Sequence, residues 1–197
     1  MAEWGIRMSE DGIKQEKIGS VMLNLTYYSG QDVYSDGDIE DEMLDIARNY
    51  PAERFPEIIE EKKSWPIFYH FSPLRANIID WIPFKKTDKV LEIGAGCGAI
   101  TGALAKRAGS VTCVDLSKKR SMVNAYRNRD ADNITIMVGN FKDIEPHLDT
   151  DYDYVLLVGV FEYGQAYIGG STPYEDFMQI CSRHRKLDGR LVIAIEN

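Results

Sequence analysis

The 197-residue chain is poor in cysteine, holding only Cys97, Cys113 and Cys181. They are odd in number and none stands in a Cys-x-x-Cys pair, so neither a disulfide framework nor a zinc knuckle is indicated, and three small reduced side chains are expected. Long apolar stretches are also missing. No run approaches 18 apolar residues, and the first 20 positions carry Glu3, Arg7, Glu10, Asp11, Lys14, Glu16 and Lys17 without an apolar core; neither a membrane span nor a signal peptide is expected, and the default address is cytoplasmic. Positive charge is short as well, with 23 Lys and Arg against 31 Asp and Glu, a net charge of −8. Nucleic-acid binding leans on clustered bases, so no such partner is expected. The one basic cluster, Lys118, Lys119 and Arg120 with Arg127 and Arg129, reads as a solvated helix face. His147 and His184 have no ligand spacing, and no metal is expected.

What is present is organised around residues 89–98, Lys-Val-Leu-Glu-Ile-Gly-Ala-Gly-Cys-Gly. Val90, Leu91 and Ile93 read as a buried strand that breaks at Gly94, Gly96 and Gly98, and a helix follows over about Ala99 to Ala108. Residues without side chains let backbone lie against a ligand, and the free N–H groups of a helix start can face its polar groups. A strand of this kind marks a cofactor turn.

Upstream, residues 1–18 are polar without a period and read as poorly ordered or loosely attached. Val21, Leu23, Leu25 and Tyr27 alternate with Met22, Asn24 and Thr26 as in a half-buried strand. Asp32 to Asp45 holds seven acids, whose spacing does not match an EF-hand. The simpler reading has Asp38 capping a helix that starts at Ile39, with Glu40, Asp41 and Glu42 in its first turn. Residues 56–64 read as a short charged helix and Trp65 to Phe71 as an aromatic connector. Ser72-Pro73 then opens a helix expected to bury Leu74, Ile78, Ile79 and Trp81.

From Thr87 onward strands and helices alternate, the sign of a parallel α/β sheet. Strands are expected at Lys89 to Ile93, Val111 to Asp115, Ile134 to Val138 and Tyr154 to Val160, with a helix over about Ser117 to Asn128. Thr172-Pro173-Tyr174-Glu175 reads as a capping box opening a helix to about Leu187. Asp188-Gly189 then turns into a fifth strand, Arg190 to Ile195. The expected division is an N-terminal extension, 1–86, and a Rossmann-like domain, 87–197.

Asp115, 21 residues beyond Gly94, can accept hydrogen bonds from ribose hydroxyls of an adenosine bound across the glycine turn. That geometry leaves the cofactor open, and an NAD(P)-dependent oxidoreductase is one alternative. The acid at Glu92 would repel a pyrophosphate and welcome an amino group. With Val-Asp-Leu-Ser at 114–117, Val138-Gly139-Asn140-Phe141, and Val158-Gly159-Val160-Phe161-Glu162-Tyr163, the stretch from Thr87 resembles the class I S-adenosylmethionine-dependent methyltransferases.

The resemblance implies a sheet in the order 3-2-1-4-5 with the family's last two strands missing, and S-adenosylmethionine (SAM) as cofactor. By it, Glu92, Gly94, Gly96 and Gly98 hold the methionine end, Asp115 the ribose, and Leu116, Asn140 and Phe141 the adenine. Gly159 begins the substrate-facing segment, where Glu162, Tyr163 or His70 can act as base toward a hydroxyl; Glu162 is favoured, though it can equally bind the cofactor's amino group or a backbone N–H. The segment lacks the Asn/Asp-Pro-Pro-Tyr of amino-group methylation, which favours a small-molecule or carbohydrate hydroxyl as acceptor. Elements before the first strand often lie over the cofactor in this family, so Tyr69, His70, Phe71 and Arg75 are candidate cleft residues, with a core role for the aromatics as the competing reading.

More narrowly, Phe71 to Asn77, Leu91 to Gly102 and Ile193 to Asn197 resemble methyltransferase domains of bacterial proteins with glycosyltransferases. A non-catalytic SAM-binding module of such a protein is a further alternative. A sheet that stops at its fifth strand leaves a sticky edge, so the segment Val21 to Tyr27, a second copy, or a missing C-terminal region is expected to cover part of the exposed surface.

Overall fold

The structure is a computed structural model and describes residues 7–8, 14–32 and 35–195. Its strands are β1 (Arg7–Met8), β2 (Lys14–Ile18), β3 (Val21–Asn24), β4 (Lys89–Ile93), β5 (Ser110–Asp115), β6 (Ile134–Val138), β7 (Tyr152–Val158) and β8 (Arg185–Ala194). They form one sheet in the order β1-β2-β3-β6-β5-β4-β7-β8. From β6 to β8 the strands are parallel and follow the expected 3-2-1-4-5 order. β4 lies between β5 and β7, and Leu91 and Val155 are fully buried there, the latter as the uninterrupted apolar run Val155 to Val158 requires.

The sheet differs from expectation at its other end. Val21 to Asn24 does not reach the β8 edge; β3 pairs in parallel with β6, Leu23 opposite Ile136, and both residues are fully buried. The Ser20 N–H donates to the Arg129 carbonyl at 2.6 Å and anchors this docking. β2 then pairs with β3 antiparallel, so Lys14–Ile18 is ordered sheet rather than loose chain; residues 1–6 and 9–13 lie outside the described residues. Among the described residues β8 is the edge strand, with Ile193 and the following Ile195 exposed. It starts five residues earlier than the turn at Gly189 suggested, and its pairing with β7 is irregular between Tyr152 and Tyr154.

The helices are α1 (Ile39–Asn49), α2 (Phe55–Lys62), α3 (Trp65–Phe71), α4 (Thr101–Ala105), α5 (Lys118–Arg127), α6 (Phe141–Ile144), α7 (Gly164–Tyr167) and α8 (Pro173–His184). The expected aromatic connector is thus a helix, with Ile67, His70 and Phe71 buried at helical spacing and the Phe71 ring stacked on Phe55 at 4.3 Å. Ser72 caps the next element as expected, accepting the Leu74 N–H. That element, Pro73–Ile79, is 3₁₀. At three residues per turn the spacing that would align Leu74 with Ile78 is lost, and Leu74 (63%) and Trp81 (71%) are exposed. Two expected caps do not form. Asp38 has helical backbone angles and no side-chain cap bond, and Thr172 turns its hydroxyl toward Asp176, 3.4 Å away.

The basic cluster is not a solvated face but the seat of the acidic segment. Asp32 accepts the N–H groups of Lys118 and Lys119 (2.7 and 3.1 Å), capping α5 from outside the helix. Lys118 pairs with Glu16 at 3.2 Å and Lys119 with Asp41 at 2.7 Å. Arg120 binds Glu40 at 2.7 Å and also Asp36. Arg127 donates to the carbonyls of His70 and Cys97 (2.8 and 3.0 Å), joining α3 to the glycine turn. These contacts place α1 and α3 beside the C-terminal ends of β4 and β5.

Candidate functional site

A cavity of about 490 Å³ opens at those strand ends, within the ~300–1,000 Å³ of small-molecule sites. Its floor is the turn after β4. Gly94, Gly96 and Gly98 all have positive φ (+73°, +52°, +73°), but they serve different purposes. A Cβ on Gly94 would lie 2.0 Å from Val160 Cγ2, so this glycine lets two loops meet. A Cβ on Gly96 would meet no atom within 4 Å, and Gly96 lines the cavity. Gly98 is not a lining residue; a Cβ there would strike the Asn124 side chain at 2.3 Å, which makes it a packing glycine.

Two carboxylates flank this floor. Asp115 Oδ2 accepts the Gly96 N–H at 2.7 Å and Oδ1 accepts the Ser117 N–H at 3.0 Å. Each oxygen keeps a lone pair for a further donor. Burial pushes the Asp115 carboxyl above its ordinary range, opposed by those two backbone bonds. Glu92 is buried on the neighbouring strand and lines the same cavity. Its Oε2 accepts the Thr101 hydroxyl at 2.7 Å and lies 3.4 Å from Cys113 Sγ. Burial raises it to about 7, against the lowering effect of those two bonds.

On the far wall Leu116, Asn140, Phe141 and Gly159 line the cavity as expected. Asn140 Oδ1 accepts the Lys142 N–H at 3.0 Å and caps α6, which leaves its amide donors for a ligand. Of the base candidates, His70 and Tyr163 line the cavity and Glu162 does not; Glu162 sits in the 3₁₀ turn Phe161–Tyr163. The His70 ring lies 3.6 Å from Asp36, and burial with the nearby Arg120 charge lowers it to about 4. Tyr69 and Arg75 join the wall, the guanidinium 4.3 Å over the Tyr69 ring, whereas Phe71 is core.

Sequence reasoning missed Asp36, Trp65, Arg120, Tyr167 and Phe177, all of which line the cavity. Tyr167 carried a signal, four residues after Tyr163, and the two rings lie 6.4 Å apart. Asp36 carried none, because its place depends on an ion pair with Arg120, 84 positions away. Among the described residues no cluster fit to hold a metal is present.

Carboxylates at the ends of adjacent parallel strands, a glycine turn with one open face and a lined cavity define a Rossmann-like domain that binds an adenosine-bearing cofactor. Residues 91–193 match the family described as methyltransferase domain. The chain belongs to this family of class I SAM-dependent methyltransferases, and its cofactor is SAM. It is 27% identical over 109 residues to a protein of Methanococcus maripaludis named as a probable cobalt-precorrin-6B C(15)-methyltransferase (decarboxylating), covering 54% of this chain and 53% of that one. The fold is similar to a Haemonchus contortus phosphoethanolamine N-methyltransferase solved with S-adenosylhomocysteine (TM-score 0.53, 21% identity, 76% and 32% covered). It is also similar to a precorrin-8W decarboxylase of Methanobacterium thermoautotrophicum (TM-score 0.50, 23% identity, 62% and 61% covered). The chain thus spans about half the length of the first curated relative it matches. Among the described residues no helix is long and apolar enough to cross a membrane.

Proposed function

We propose that the chain binds SAM between Glu92 and Asp115 and transfers its methyl group to a hydroxyl of a small-molecule or carbohydrate acceptor. One observation carries the cofactor half: a buried carboxylate on β4, Glu92, and a half-buried one on β5, Asp115, line one cavity with the open Gly96. Asp115 would take the ribose hydroxyls, Glu92 the ammonium group, and Asn140 with Phe141 the adenine edge and face. When bound, SAM supplies an electrophilic methyl group on a positively charged sulfur.

The chain's own task is then positioning and proton handling. His70 is uncharged near neutral pH and can take the acceptor's hydroxyl proton, with Asp36 beside its ring. Trp65, 70% exposed, and the half-exposed Tyr163 and Tyr167 stand at the cavity. Aromatic faces in a lined cleft favour the apolar side of a sugar ring, which supports the carbohydrate acceptor. The wall formed by Asp36, Trp65, Tyr69, His70 and Arg75 supports a substrate-side role for the extension 1–86.

Calorimetry with SAM and S-adenosylhomocysteine tests the cofactor half, with binding of both expected; absence of binding by both at millimolar concentration overturns it. Transfer of labelled methyl to saccharides tests the acceptor. Labelling of a cobalt-precorrin instead, the substrate in the name of the Methanococcus maripaludis relative, would replace it.

A further inference from the structure

Behind the cavity a chain of buried polar groups runs from β4 into α5. The Thr101 hydroxyl donates to Glu92 Oε2 at 2.7 Å, and Asn124 Nδ2 donates to Thr101 Oγ1 at 3.1 Å. Asn128 Nδ2 in turn donates to Asn124 Oδ1 at 2.9 Å. Thr101 and Asn124 are fully buried. The donor sequence has one direction, because the amide nitrogen can only donate to Thr101, which turns the threonine proton toward the carboxylate. Oε2 is thereby committed to protein donors, and no bond to Oε1 is formed among the described residues. Asn124 also packs against Gly98, where a Cβ would be 2.3 Å from its oxygen. The same side chain therefore braces the acid and the glycine turn.

Neither Thr101 nor Asn124 lines the cavity. We propose that Thr101 and Asn124 are positioning residues for the cofactor, holding Glu92 so that its second oxygen meets the ammonium group of the methionine end. This rests on the SAM site proposed above. An isolated polar network in the core has a simpler role, satisfying buried groups, so the test has to separate positioning from stability.

Thr101→Val keeps the shape and removes the hydroxyl; Thr101→Ser keeps the hydroxyl. S-adenosylhomocysteine carries the ammonium group, and 5′-methylthioadenosine has the same adenosine without it. By calorimetry, Thr101→Val is expected to weaken S-adenosylhomocysteine about tenfold, the scale of a hydrogen bond to a charged group. Methylthioadenosine affinity should stay within about twofold, and Thr101→Ser should restore the loss.

A pH series adds a second readout. The groups facing Glu92 are Thr101 and Cys113 as donors and Asp115 and Arg127 as charges. In the unsubstituted chain, S-adenosylhomocysteine affinity should rise as Glu92 ionises through about 7. In Thr101→Val, which loses a bond that favours the ionised form, that rise moves to higher pH.

Equal loss for both ligands, or no loss for either, overturns the proposal. If Thr101→Val fails to fold, Asn124→Asp, nearly isosteric but with no donor for Thr101, gives the same two-ligand comparison. Failure of the unsubstituted chain to bind either ligand overturns this proposal and the SAM site together; binding of methylthioadenosine with a purely structural response overturns this one alone.

Discussion

Arg120 of α5 and Glu40 of α1 form an ion pair of 2.7 Å in which Glu40 is fully buried. The Ser35 hydroxyl (2.8 Å) and the Asp36 N–H (3.0 Å) also donate to that carboxylate. This pair fixes the acidic segment over the end of β5, and so places Asp36 at the cavity. Removing one partner of a buried pair leaves the other charge without its counterion, at about 3–5 kcal/mol. Arg120→Met should therefore destabilise the chain by that order in urea unfolding. Arg120→Met with Glu40→Gln should recover most of the loss, and an unchanged unfolding midpoint in the single variant would contradict the pairing.

His70 gives the chain an acid-side weakness. Burial, then repulsion from Arg120, lowers its folded-state value from 6.5 to about 4. Between those values the unfolded chain binds the extra proton. The stabilisation is complete above about pH 6.5 and is lost as pH falls toward 4, up to roughly 2–3 kcal/mol. His70→Gln should flatten that part of the stability–pH curve. The same lowered value means that methyl transfer through a His70 base should not fall off near pH 6.5, as it would for an ordinary imidazole; a rate profile with its inflection there would remove His70 from that role.

The parts legible in the sequence are those whose signal is local. The run Val155 to Val158 has no polar alternation because both faces of a central strand are covered, and Gly94 and Asp115 stand at the ends of β4 and β5. Gly98 shows the limit: its spacing matches the motif, yet its neighbour is Asn124 on another helix. Trp65 to Phe71 hides its helical spacing in a run that is apolar almost throughout. The basic residues of α5 look solvated until acids 78 to 102 positions earlier fold onto them. Pairing over that separation is set by how β3 docks on β6, which no local pattern contains.

Gly94 and Gly96 should separate folding from binding. Both have positive φ, so an alanine costs each about 1–2 kcal/mol of backbone strain. At Gly94 the new methyl also collides with Val160 at 2.0 Å, whereas at Gly96 it finds open space in the cavity lining. Gly96→Ala should lower the unfolding midpoint only by the few degrees that this strain implies while losing S-adenosylhomocysteine binding. Gly94→Ala should lose stability as well as binding. Thermal unfolding with and without ligand decides between them, and retained binding in Gly96→Ala would place the cofactor elsewhere.

Glu92 is expected to trade stability for binding. Burial raises its folded-state value from 4.5 to about 7, with the Thr101 and Cys113 bonds and Arg127 opposing and Asp115 assisting. The folded chain therefore holds a proton that the unfolded chain has released. The sign is opposite to that of His70: the contribution is complete below about pH 4.5 and is lost as pH rises through 7. Above pH 7 the folded chain carries a buried carboxylate at a cost of roughly 3 kcal/mol. Glu92→Gln keeps an acceptor for Thr101 and removes the charge, so at pH 8 it should raise the unfolding free energy of the ligand-free chain by up to that amount. It should at the same time weaken S-adenosylhomocysteine by tenfold or more, since the amide cannot pair with an ammonium group. The ligand accounts for an acid that destabilises its own core above pH 7, and a Glu92→Gln chain that is both less stable and undiminished in binding would refute that account.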